Sequence, residues 1–138
     1  MLNKFKNKSV AFYLIFSTAC AFALLDVIFI ACDGGDRTFS YLTFAMILVG
    51  SAIILSWLFL DFGFLDFMPV LGCACYGIAF AAHLKLALES LSDVWNGVNF
   101  VGGNATAGMV FAGLFFVLLC VTAVCCFLGV KDERSVQD

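Results

Sequence analysis

The sequence predicts an all-α fold: a polytopic membrane protein built as a single four-transmembrane-helix bundle, with both termini in the cytoplasm. Three observations carry that expectation. Of 138 residues, 64% are hydrophobic and 12% charged, and the mean hydropathy is +1.09, more apolar surface than a soluble chain of this length can hide. Four apolar stretches, at about residues 9–32, 39–61, 67–88 and 105–130, each reach the roughly 20 residues that a helix needs to cross a bilayer. Finally, five of the seven basic residues flank the first and last stretches, Lys4, Lys6 and Lys8 before and Lys131 and Arg134 after. With an even number of spans, the positive-inside rule places both ends in the cytoplasm of a multi-pass cell-membrane protein.

The first span continues to Cys32, too long for a signal-peptide core, so it reads as a retained signal and anchor. The second follows Asp33-Gly34-Gly35-Asp36-Arg37-Thr38, a turn that no helix would keep. The third opens on Asp66-Phe67-Met68-Pro69, a capping carboxylate followed by a proline that costs little in a first turn. The fourth follows Gly102-Gly103-Asn104, where Asn104 is placed to cap. The stretch 89–104 forms the long outer connection. Its Leu91, Val94, Trp95 and Val98 recur at helical spacing, which predicts a short interfacial helix anchored by Trp95 at headgroup level. With Asn96 and Asn99 it would make an outer lid or a partner contact.

Several function classes fall away. A net charge of −3 and a pI near 4.8 exclude nucleic acid as a partner. The sequence has no Ser/His/Asp order, zinc spacing, phosphate loop or dinucleotide fingerprint, so no enzyme, metal site or cofactor is expected. Six of the seven cysteines fall within the spans, where Cys is a small apolar filler. Cys73 and Cys75 project about 200° apart around a helix and cannot share a metal, while Cys125 and Cys126 lie near the cytoplasmic boundary, where acylation is conceivable.

The informative residues are the ionisable ones inside the spans, because hydrocarbon makes an unpaired charge expensive. Asp26 and His83 each lie about six residues below the outer end of a predicted span, a shared depth at which they could meet, either as a ligand- or ion-binding pair or as groups that neutralise each other and hold the helices together. The carboxylate would hold a cation or proton, and the imidazole titrates near neutrality. Lys85 points away from His83 and is spaced to pair with Glu89 one turn on. Small residues mark close helix approach, Gly50 and Ser51 in the second span and Gly108, Ala112 and Gly113 in the fourth, and these are expected to pack on a partner.

Two readings follow. The first is a small non-catalytic membrane component, either an accessory or assembly subunit or a homo-oligomer, whose partners are the bilayer and another membrane protein or itself. The second is a small ion- or proton-coupled transporter or channel component built on Asp26 and His83.

Overall fold

The computed structural model describes residues 10–33, 41–59 and 67–127, and the side chains of Ala11 and Asp33 are outside that description. Four helices follow one another: α1 (Val10–Asp33), α2 (Tyr41–Phe59), α3 (Met68–Asn96) and α4 (Ala105–Cys126). All four are long and apolar enough to cross a membrane. Large apolar side chains are exposed along all of them, among them Leu24, Leu48, Val70, Val110, Val117 and Val124. An exterior of this kind belongs in lipid rather than water.

Each helix packs on its chain neighbours and α4 returns to α1, so the helices form a ring in which α1 and α3 stand diagonally and their backbones do not approach. That arrangement sorts the residues by size. Where adjacent helices cross, small residues let the backbones close in. Gly50 of α2 and Gly72 of α3 lie against each other, so that a Cβ on either would come within 3.1–3.2 Å of the other's carbonyl oxygen. Gly108 of α4 likewise rests on Ala87 of α3. Across the wider diagonal, long rings bridge the gap: Phe22 stacks on Tyr76 with centroids 4.1 Å apart, and one heptad further Phe29 meets His83 edge-on at 4.7 Å. Rings from α4 complete these layers, Phe115 beside Phe22 and Phe111 beside Phe29.

The helix ends have local causes. Asn104 caps α4 as expected, its side chain accepting from the Ala107 N–H at 3.1 Å. Pro69 sits in the first turn of α3, but the cap residue is Phe67, with no side-chain hydrogen bond. Asp66, expected as that cap, lies outside the described residues, as do residues 34–40 and 60–66 and both charged ends.

The third helix differs from expectation. Rather than stopping near residue 88 and restarting as an interfacial helix, α3 runs without a break to Asn96. Glu89, Ser92 and Asp93 end the apolar pattern but none of them breaks a helix. What ends it is Gly97 in the left-handed conformation at φ 65°, with Gly97 N–H donating to Val94 O and Val98 N–H to Asp93 O at 3.0 Å, a Schellman closure. Leu91, Val94 and Trp95 are therefore the last turns of a long helix.

Candidate functional site

The polar groups that the helices carry inward lie between the aromatic layers. Asp26 and His83 are both about 98% buried, in keeping with stripes that turn toward the bundle interior. His83 crosses from α3 to α4, where its Nε2 lies 3.0 Å from the Gly108 carbonyl, and its ring is held edge-on between Phe29 and Phe115. Asp26 is different. Its Oδ2 is buried with no hydrogen-bond partner among the described residues.

The expectation that Asp26 and His83 meet is not met in this arrangement. Because α1 and α3 run parallel and pair Phe22 with Tyr76 and Phe29 with His83, the α1 residue opposite His83 is Phe29. Asp26 falls three residues earlier, which the same pairing sets at the level of Phe80. The two ionisable groups occupy successive levels of the core. Both residues lie equally far from the expected ends of their spans, but α3 continues eight residues beyond the expected end at 88 to Asn96.

Around them the smaller polar groups are satisfied within the bundle. Ser51 of α2 shares a 2.9 Å hydrogen bond with the Tyr76 hydroxyl and donates to the Ala19 carbonyl of α1 at 3.4 Å. Thr43 donates to the Ala79 carbonyl at 3.4 Å. The sequence marks Ser51 as a packing residue only. Its bridge between three helices was invisible, because Tyr76 carries no sequence signal that names its partner.

The remaining candidates separate cleanly. Lys85 and Glu89 form an i,i+4 ion pair at 3.7 Å on the outside of α3, their side chains 75% and 43% exposed, so they stand apart from the interior. Gly50, Ser51, Gly108 and Ala112 are buried inside the bundle. The faces expected to receive a partner are occupied by the chain's own helices. Gly113 alone of that set faces outward, with open space around it.

The connection between α3 and α4 is held by hydrogen bonds to the end of α3. Residues 97–104 are tied back to the end of α3: Asp93 accepts from the Phe100 and Val101 N–H groups at 2.8 and 2.6 Å, and Ser90 donates to the Gly102 carbonyl at 2.6 Å. Asn96 donates to Ser92 within the last turn of α3, and Asn99 is exposed. Trp95 and Phe100 project outward, 88% and 75% exposed, where amphipathic rings suit a headgroup layer. Among the described residues, no cluster of three or more His, Cys, Asp or Glu is placed to hold a metal ion. No protein-family model, curated protein or solved structure matches this chain.

Proposed function

We infer that this chain is a small, non-catalytic integral membrane component, with both termini in the cytoplasm, that acts by associating with another membrane protein or with copies of itself. The observation that supports this reading is the closed interior. The centre of the ring is filled by Phe22, Tyr76 and Phe115 at one level and by Phe29, His83 and Phe111 at the next, and the Ser51, Tyr76 and Thr43 hydroxyls bond to neighbouring helices. A core filled in this way leaves association to the outer surfaces. Here those surfaces are the large apolar side chains of α1 to α4 and the outer end bearing Trp95 and Phe100.

The test is the mass of the particle extracted with native lipid, together with the identity of any chain that comes with it. The reading expects a defined oligomer or a stoichiometric membrane partner. A lone monomer that drives ion flux in vesicles would overturn it. Protease access to tags at Met1 and Asp138 from outside intact cells would overturn the orientation.

Asp26 favours a second reading. A carboxylate oxygen buried without a hydrogen bond costs stability, and such groups within membrane helices mark ion or proton pathways. On this account a cation or proton visits Asp26 in a more open state of the bundle. Asp26→Asn, which keeps the shape and loses the charge, would then abolish proton- or cation-dependent flux that the wild type supports.

A further inference from the structure

At the end of the bundle away from Trp95, two cysteines from neighbouring antiparallel helices come together. Cys73 lies in the second turn of α3 and Cys126 ends α4, and the two side chains line one cavity. The Cys126 thiol donates to the Pro69 carbonyl, one turn before Cys73, at 3.5 Å. The cavity, of about 300 Å³, is lined by Val70, Cys73, Ala74, Ala123, Cys126 and Phe127. Apart from the two thiols, those lining side chains are hydrocarbon.

Two thiols that line one apolar cavity admit two chemistries. Binding a soft monovalent metal between two thiolates would leave a net negative charge in this setting, with no third ligand among the described residues. Joining the sulfurs leaves a neutral product. We propose that Cys73 and Cys126 are a thiol–disulfide exchange pair, and that the apolar cavity beside them admits small, lipid-soluble disulfides as the oxidising substrate. One protein thiol loses its proton and attacks a sulfur of the incoming disulfide. The S–S bond breaks, and the departing thiolate takes up a proton to leave as a free thiol. The second protein thiol, likewise deprotonated, then attacks the protein-bound sulfur and expels the other half. In net, two protein thiols are oxidised to one disulfide, and one external disulfide is reduced to two thiols. The bond would fix the first turns of α3 to the last turn of α4.

The full chain in lipid nanodiscs, treated with a limiting amount of 4,4′-dipyridyl disulfide, then alkylated and mapped by peptide mass spectrometry, tests this directly. Wild type should yield a Cys73–Cys126 cross-linked peptide in excess of every other cysteine pair, with no pyridyl adduct left on either residue. Cys73→Ser should instead trap a stable pyridyl adduct on Cys126, because the resolving thiol is gone, and Cys126→Ser should trap the mirror adduct on Cys73. Cys125→Ser should leave the cross-link unchanged. The proposal fails if wild type keeps separate adducts on Cys73 and Cys126, or if either residue cross-links mainly to Cys75 or Cys125. The wild-type map stands as a test even if a serine variant does not fold.

Discussion

Adding one methyl group at each helical glycine should give stability changes ranked by the space that each faces. At Gly50 a Cβ would lie 2.9 Å from Cε1 of Tyr76, 3.1 Å from Cβ of Cys75 and 3.1 Å from the Gly72 carbonyl. Carbon atoms rest at about 3.5–4.0 Å, so the Tyr76 ring would have to retreat by about 0.6 Å or more. It has nowhere to go: one face is stacked on Phe22 at 4.1 Å and the hydroxyl is bound to Ser51, the residue next to Gly50, at 2.9 Å. Gly50→Ala should therefore cost about 1–3 kcal/mol, the range for overpacking a filled core. Gly72→Ala meets the side-chain carbons of fully buried Ile54 at 2.5 and 2.8 Å and should fall in the same range. Gly108→Ala meets the Ala87 Cβ at 3.3 Å and its Cα at 3.5 Å, a small adjustment worth less than about 1 kcal/mol. Gly77 and Gly113 face open space, so alanine there should be neutral or stabilising by up to about 1 kcal/mol through helix propensity alone. Reversible unfolding in mixed micelles of SDS and a mild detergent, followed by tryptophan emission, measures the series. Equal losses at all five positions, or a loss at Gly50 no larger than at Gly77, would refute the packing of α2 on α3, whereas a large loss at Gly113 beside a large loss at Gly50 would mark a contact with another chain.

Three further outcomes follow from the polar groups. Asp26→Leu should raise the unfolding free energy by about 1–3 kcal/mol, because it removes a buried carboxylate oxygen with no partner among the described residues; a clear loss in the same micelle assay would mean that Asp26 is satisfied in the membrane by a group outside this description. A double-mutant cycle of Ser51→Ala with Tyr76→Phe should return a coupling of about 0.5–1.5 kcal/mol for their 2.9 Å hydrogen bond, and strict additivity would show that the two hydroxyls do not meet. Asp93→Ala removes an acceptor shared by Phe100 and Val101, so amide exchange at those two residues should accelerate by about tenfold or more, the loss of a hydrogen bond to a charged group, while exchange in the middle of α4 stays unchanged.

The sequence by itself determined the number of helices and their approximate positions, because crossing a bilayer is a demand on local composition: each segment must be apolar for its whole length, whatever its neighbours are. It also determined the features that depend only on residues one turn apart, the Asn104 cap, Pro69 in a first turn and the Lys85–Glu89 pair. The end of α3 was in principle legible as well, since Gly97 marks it, but fading hydrophobicity at residue 89 is a statement about solvent and not about where a backbone stops being helical. Everything that depends on the register between helices was decided by the tertiary structure. The diagonal pairing of α1 with α3 places Phe29, and not Asp26, against His83. The same packing turns Gly50 and Gly108 inward and sets Cys73, near the start of α3, and Cys126, at the end of α4, around one cavity. A hydrophobic pattern as uniform as this one fixes that helices form and leaves their rotation about their own axes open. The sizes of side chains that must fit across a shared interface choose the rotation, glycine against glycine where neighbours cross and ring against ring across the diagonal.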